Sequence, residues 1–274
     1  MTNQELFSTA NEIRKGIVTA VHSAKSGHPG GSLSCADIMT YLYFEEMNLD
    51  PANPKKEERD RFVLSKGHCA PALYATLAQK GFFPKEELVN LRHVGSFLQG
   101  HPDLKHTPGV DMSSGSLGQG FSTAVGMALA GKMDNKNYRV YAMAGDGEIQ
   151  EGQIWEAAMF AGARKLDNLV LIVDNNGLQI DGNIEDVCSP YPIDEKLKAF
   201  NFHVINIDGH DFEQIRKAME EAKNTKGQPT AIVAKTVKGK GVSFMEGKAG
   251  WHGKAPNDEE FAIALEDLKK AGEA

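Results

Sequence analysis

The chain has 274 residues, 41% of them hydrophobic and 24% charged, with a formal net charge of −7. That balance is an ordinary globular one, and the acidic excess argues against a general nucleic-acid or membrane-surface binder, which needs a cationic footprint. The polar opening MTNQELFSTANEIRKG lacks the apolar core of a signal peptide, and no apolar run approaches the ~18 residues of a membrane span, so a cytoplasmic protein is expected.

In chain order, Thr9 to Lys25 carries helical periodicity and ends at the loop Ser26-Gly27-His28-Pro29-Gly30-Gly31. Cys35 to Glu46 reads as a second helix, with Met39, Tyr41 and Phe44 as core positions. A polar loop around Asn48 to Arg59 follows, then a short β-like run, Arg61 to Ser65. Lys66-Gly67-His68 turns that run into a helix from Pro71 to Gln79. The glycine-rich loop Ser113 to Gly120 leads into a helix from Phe121 to Lys132. Next come a strand from Arg139 to Met143, the turn Gly145-Asp146-Gly147, a helix from about Gln153 to Arg164, and a strand from Leu169 to Val173. Phe202 to Ile207 and Thr230 to Thr236 are the remaining strands, with a helix at Phe212 to Ala222 between them. Lys235 to Asp258 is rich in glycine and lysine and reads as a long functional loop, with a plain flexible surface loop as the alternative; within it Lys235, Lys238 and Lys240 could screen phosphate, but a solvated loop is the favoured reading.

Strands alternate with helices, and Leu169 to Val173 is apolar without alternation. Both features predict a doubly wound, mostly parallel α/β sheet with helices on both faces, in one domain spanning residues 1–274. Cys35, Cys69 and Cys188 are scattered and form no CxxC pair, so they are read as semi-buried free thiols in a reducing compartment rather than as disulfides or zinc ligands.

The Gly145-Asp146-Gly147 turn raises a conflict. A dinucleotide fingerprint would place its third glycine at position 150, which is Gln150. A carboxylate about 4 Å from one phosphate charge costs on the order of 4 kcal/mol at an effective dielectric near 20. A divalent cation between the two reverses the sign. Mg²⁺ fits, since it takes hard oxygen ligands together with substrate phosphates; Ca²⁺ or Mn²⁺ could substitute. The next parallel strand must end at the same sheet edge, and there the sequence reads Asp174-Asn175-Asn176-Gly177-Leu178. Asn176 follows Asp146 by 30 residues, about one βαβ unit, so its amide oxygen can join the carboxylate. The backbone carbonyl of Leu178, two residues on, can complete the ligand set.

GDG after a strand, with Asn-Asn closing the next one, resembles the diphosphate-binding signature of thiamine diphosphate enzymes. SGHPGG (Ser26 to Gly31), SKGHCAPALY (Ser65 to Tyr74), GHPD (Gly100 to Asp103), SSGSLGQG (Ser113 to Gly120) and WHGKAP (Trp251 to Pro256) occur in the order found in transketolases. Over nearly the whole chain the sequence is thus similar to the N-terminal, diphosphate-binding part of that family. The ordered histidines favour this resemblance over 1-deoxyxylulose-5-phosphate synthase and the α subunit of 2-oxo acid dehydrogenases.

The resemblance implies thiamine diphosphate and Mg²⁺ as cofactors and transfer of a two-carbon ketol unit from a ketose phosphate to an aldose phosphate. It implies that His68 touches the diphosphate and that His28, His101 and His252 surround the reacting carbon, His252 also reaching the cofactor. Gly115, Ser116 and Leu117 match the loop that meets the cofactor through backbone atoms; the family often has Pro where Ser116 stands. Gly145 and Gly147 flank the metal ligand, and Glu151 matches an acidic position near the inter-subunit interface. A first-turn glutamate favoured by the helix dipole explains Glu151 equally well. Family members are usually more than twice this length, so the chain resembles the N-terminal subunit of a split transketolase. The partner expected is a C-terminal subunit carrying the pyrimidine-binding domain and its catalytic glutamate, in a heterotetramer with two copies of each chain. A split enzyme acting on a branched or sulfonated ketose, or a non-catalytic homologue, would share these residues. His22, His93, His106, His203 and His210 match no motif and are read as structural.

Overall fold

The structure, a computed structural model, describes residues 1–273. Its strands are β1 (Arg61–Leu64), β2 (Val140–Gly145), β3 (Leu169–Asn175), a short hairpin of β4 (Leu178–Gln179) and β5 (Gly182–Asn183), β6 (His203–Asp208) and β7 (Thr230–Lys235). The main sheet has the order β1-β2-β3-β7-β6, and every pairing in it is parallel. The helices are α1 (Asn3–Ala24), α2 (Pro29–Ser34), α3 (Ala36–Tyr41), α4 (Ala70–Lys80), α5 (Gln119–Met133), α6 (Gly152–Ala163), α7 (Ile184–Cys188), α8 (Ile193–Ala199), α9 (Phe212–Asn224) and α10 (Asp258–Glu273).

Side chains that alternate along the central strands feed two separate cores, one on each face of the sheet. Tyr141, Met143, Val170, Ile172 and Ile232 pack with α1, α3, α4 and α9. Val140, Ala142, Leu169, Leu171 and Val233 pack with α5 and α6. A strand buried on both faces has no polar side to show, which is why β3 reads as an unbroken apolar run. Met39 and Tyr41 are buried and Phe44 packs against the first core, as expected.

Several boundaries differ from expectation. The first helix begins at Asn3, because Thr2 and Glu5 form a reciprocal capping box upstream of the first apolar position. The Ser26–Gly31 segment is a loop only as far as His28. Pro29 occupies the first helical turn, where its missing N–H costs nothing, and Gly30 and Gly31 continue the helix. Those glycines serve packing: a Cβ on Gly30 would lie 2.8 Å from the Trp251 carbonyl, and one on Gly31 2.8 Å from Cys69 Sγ. The stretch Cys35–Glu46 is α3 followed by a π turn, Leu42–Glu46. The helix α10 was not anticipated; its Ala264 and Leu268 are buried, Phe261 and Leu265 are partly buried, and it packs along α1. Cys35 and Cys69 are buried and free, but Cys188 is exposed rather than semi-buried. No helix among the described residues is long and apolar enough to cross a membrane.

Candidate cofactor site

In a parallel sheet the C-terminal ends of all strands share one edge, and this chain places its polar loops there. The segment after β1 supplies Lys66 and His68, that after β2 Asp146, that after β3 Asn176 and Leu178, and that after β7 Lys238. With His28, Gly115, Leu117, Glu151 and His252 they line one cavity of about 380 Å³.

Glu148 organises the rim. Its buried carboxylate accepts from Ser65 Oγ at 2.5 Å, from Gly118 N at 2.8 Å and from Gly145 N at 3.1 Å. One side chain thereby ties together the ends of β1 and β2 and the glycine-rich loop. Gly67 lets two of those segments touch, because a Cβ there would stand 2.7 Å from Ser114 Oγ and 2.8 Å from Gly115 N.

Asp146 is 2% exposed. Its Oδ1 accepts from Gly147 N at 2.8 Å and its Oδ2 from Gly177 N at 2.6 Å, which seats the GDG turn against the loop carrying Asn176 and Leu178. Burial and the neighbouring Asp174 carboxylate push the Asp146 carboxyl up to about 6. Asn176 Oδ1 accepts from Leu178 N at 3.1 Å. The Leu178 carbonyl, however, receives the Lys238 ammonium at 3.1 Å.

Asp174, fully buried beneath the floor, pairs with Lys66 Nζ at 2.5 Å. Ser34 and Thr236 hydroxyls also donate to it, and Lys66 donates to the Gly31 carbonyl at 2.7 Å. Burial alone would raise the Asp174 carboxyl, but the Lys66 charge and these donors hold it below its ordinary range. Burial alone would likewise lower Lys66, yet Asp174 holds its ammonium well above the usual value. The floor is therefore an ion pair, whereas, among the described residues, the buried Asp146 and Glu148 carboxylates face the cavity without a cationic partner; Glu148 is satisfied by three donors from the rim, and Asp146 stands beside Asn176 and Leu178.

Three histidines converge in the same cavity. The ring centroids of His28 and His68 lie 5.1 Å apart, those of His28 and His252 5.3 Å, and those of His68 and His252 5.1 Å. Burial, then His68 and Arg92, pulls His28 down to about 4. Burial, then Lys66, brings His68 to about 4, and burial, then Lys238, brings His252 to about 3. All three rings are neutral near pH 7. His252 Nδ1 lies 3.1 Å from Lys238 Nζ and accepts from it, which leaves the His252 proton on Nε2. The buried His28 Nδ1 has no partner.

The remaining expected residues sit differently. His101 is exposed, its ring 3.3 Å from where a Cβ on Gly115 would stand, and neither it nor Ser116 lines the cavity. Glu151 is exposed at the N-cap of α6 and makes no capping bond. Of the histidines read as structural, His22, His106 and His203 pair with Asp258, Asp103 and Glu221 at the surface. The solvated reading of Lys238 is wrong: it is 3% exposed, in the cavity wall. Gly239 follows it directly, just as a glycine adjoins each of His28, His68, His101 and His252, but the same glycine precedes the half-exposed Lys240, so this signal alone does not single out Lys238. Lys66 and Asp174 lay inside motifs already noted, but nothing in the sequence pairs them.

The lining suits a diphosphate held through a hard cation. No cluster of three His, Cys, Asp or Glu side chains able to hold a metal occurs among the described residues. A cation here would draw on one carboxylate, one amide oxygen and one carbonyl, and take its other oxygens from phosphate or water, which is the usual habit of Mg²⁺. Buried Asp146 supplies the negative charge, and Lys238, beside the Leu178 carbonyl, and His68 supply donors in the same cavity.

Such a site at the strand ends of a parallel sheet defines a cofactor-binding α/β unit. The chain belongs to the transketolase family: residues 7–270 match its thiamine diphosphate binding domain. It is 49% identical over 268 residues to the 6-deoxy-6-sulfo-D-fructose transketolase subunit SqwG of Clostridium sp. (strain MSTE9), covering 98% of both chains. It is 45% identical to an apulose-4-phosphate transketolase subunit of Phocaeicola vulgatus, over 97% of this chain and 94% of that one. Human transketolase is 46% identical over 92% of this chain, which spans 40% of the human one. The crystal structure of transketolase from Campylobacter jejuni superposes with a TM-score of 0.93 at 37% identity, over 98% of this chain and 43% of that one.

Proposed function

We propose that this chain is the diphosphate- and magnesium-binding subunit of a two-subunit transketolase that moves a two-carbon ketol unit from a ketose to an aldose. The observation that carries the reading is one cavity joining a buried, uncompensated Asp146 to three neutral imidazoles. Near end-to-end similarity to two proteins named as transketolase subunits supports the division into two chains. A C-terminal subunit would supply the pyrimidine-binding half, with two copies of each chain in the assembly.

Asp146, Asn176 Oδ1 and the Leu178 carbonyl would hold the cation, with Lys238 turning from that carbonyl toward phosphate oxygen. His68 would face the diphosphate, and the backbones of Gly115, Leu117, Gly145 and Gly147 would admit it closely. Ser116 would act through its backbone alone. When bound, thiamine diphosphate supplies the electron sink for breaking a ketose carbon–carbon bond. His28 and His252, neutral at pH 7, would donate to and accept from the sugar's hydroxyl and carbonyl oxygens and hold a proton as charge develops there. His101, at the rim, would meet the sugar chain rather than the cofactor. Glu151, exposed at the cavity mouth, would face the neighbouring subunit. The two subunit relatives are named for a sulfonated ketose and for a ketose phosphate, so a ketose with an anionic terminus is the substrate class favoured here.

The experiment is an assay of the purified chain with thiamine diphosphate, Mg²⁺, ketose phosphate and aldose phosphate, with and without a C-terminal transketolase subunit. Turnover is expected only with both polypeptides. Comparable turnover by the single chain contradicts the two-subunit reading, and none in either arm contradicts the activity.

A further inference from the structure

Outside the cavity, a run of buried polar contacts ends one residue short of Lys238. Arg14 on α1 donates to both carboxylate oxygens of Asp37 on α3, at 3.0 and 2.6 Å, and both side chains are 4% exposed. Asp37 Oδ2 also meets His210 Nδ1 at 2.7 Å. On the other side of that ring, Nε2 accepts from the backbone N–H of Val237 at 2.9 Å. Accepting there requires a lone pair on Nε2, so the ring proton sits on Nδ1 and points at Asp37. The turn before His210 lies directly on the end of β7: a Cβ on Gly209 would be 2.6 Å from Thr236 Cγ2 and 3.2 Å from the Lys235 carbonyl.

The chain leaves the sheet where Thr236 N donates to the Asn175 carbonyl at 3.1 Å; beyond it the Val237 and Lys238 carbonyls accept from Lys240 N at 3.1 Å and Gly247 N at 2.9 Å, and Gly239 N donates to the Gly30 carbonyl at 2.9 Å. These carbonyl bonds lie on the loop's own side, whereas the Val237 N–H, the last donor before Lys238, goes to His210. Lys238 follows at once, bonded to the Leu178 carbonyl and to His252.

We propose that His210 is a positioning residue for the cavity: fixed by Asp37 and Arg14, it holds the Val237 backbone and thereby aims the Lys238 ammonium and the His252 imidazole it bonds. It touches no bound molecule itself. The inference rests on reading the cavity as the cofactor site, but the backbone anchor can be measured apart from that reading.

The test compares wild type with His210→Phe, which keeps ring volume but removes both hydrogen bonds, and His210→Gln, whose amide can donate to Asp37 and accept from Val237. Hydrogen exchange at the Val237 amide, thiamine diphosphate binding with Mg²⁺ by calorimetry, and Tm are measured for each. In the Phe variant, Val237 exchange is expected to speed up and cofactor Kd to weaken by about tenfold, the scale of one lost buried hydrogen bond. The Gln variant is expected to restore both. Should the Phe variant fail to fold, His210→Asn, which keeps donation to Asp37 but withdraws the acceptor from Val237, is read the same way. Unchanged Val237 exchange in the Phe or Asn variant overturns the anchor, and so does a Gln variant as impaired as Phe. Altered exchange with unchanged Kd overturns the link from the anchor to the cavity. If wild type binds no cofactor, the proposed function fails while Val237 exchange still decides the anchor.

Discussion

Lys66 Nζ lies 2.5 Å from Asp174 Oδ2, an ion pair with both side chains nearly free of solvent, directly beneath the cavity. A buried pair can be worth little as a whole, yet removing one partner strands a charge and costs about 3–5 kcal/mol. Lys66→Met should therefore destabilise by that order in urea unfolding, since it leaves Asp174 uncompensated beside Asp146. Lys66→Met combined with Asp174→Leu should recover part of the loss. A double variant no more stable than the single one contradicts this account of the floor.

His28, His68 and His252 are held at about 4, 4 and 3, below their ordinary 6.5. The unfolded chain therefore takes up these protons first. The stability the neutral rings contribute is fully present above about 6.5 and is lost as pH falls through about 4. Asp146 acts in the opposite sense, so the share of one ring is best read as a difference. His68→Gln should lose less stability than wild type between pH 7 and 4.5, measured by urea midpoints. Parallel losses would show that His68 is not held neutral by its surroundings.

Asp146, raised from 3.8 to about 6, favours the metal-free fold most below about 3.8, and that contribution disappears as pH rises through about 6. A cation binding there must displace the proton, so Mg²⁺-dependent cofactor affinity should fall as pH drops below about 6, approaching about tenfold per pH unit. Calorimetry in buffers of different ionisation enthalpy should detect proton release on binding near pH 6. Affinity that stays flat from pH 7 to 5 places the cation elsewhere.

Gly67→Ala would place a Cβ 2.7 Å from Ser114 Oγ and 2.8 Å from Gly115 N, both in the backbone-rich contact between two loops. Overpacking of this kind typically costs about 1–3 kcal/mol. The variant should unfold at lower urea and bind cofactor more weakly, because the Gly115 loop is displaced. Gly81→Ala, with open space around its Cβ but a φ of +97°, should lose stability alone. Equal cofactor affinity in Gly67→Ala and wild type contradicts the proposed role of that contact.

Much of the architecture was legible because buried parallel strands and glycine turns leave local marks. The apolar run of β3, the GDG turn after β2 and the Asn-Asn close of β3 place Asp146 and Asn176 at one edge without any coordinates. Less visible were features fixed across the chain. Helix α2 hides behind a glycine pair that usually marks a loop, since its reason is contact with Trp251 and Cys69. Lys66 and Asp174 are 108 residues apart, so neither predicts the other's charge state. His210 follows Gly209, so it carries the same local mark as the cavity histidines, but its partners, Asp37 and Val237, come from elements far away in sequence and the mark does not reveal them. His101 shows the converse: glycine and proline beside it mark a close approach, which the structure shows to Gly115, but not that the ring stands outside the cavity lining.

Whether a divalent cation joins Asp146 to a cofactor diphosphate is decided by locating the metal. Crystals of the chain grown with Mn²⁺ and thiamine diphosphate can be measured at a wavelength where manganese scatters anomalously. One peak is predicted, within bonding reach of Asp146, Asn176 Oδ1 and the Leu178 carbonyl, with Lys238 moved off that carbonyl. A diphosphate seated without manganese, or a peak away from Asp146 and Asn176, would contradict the account.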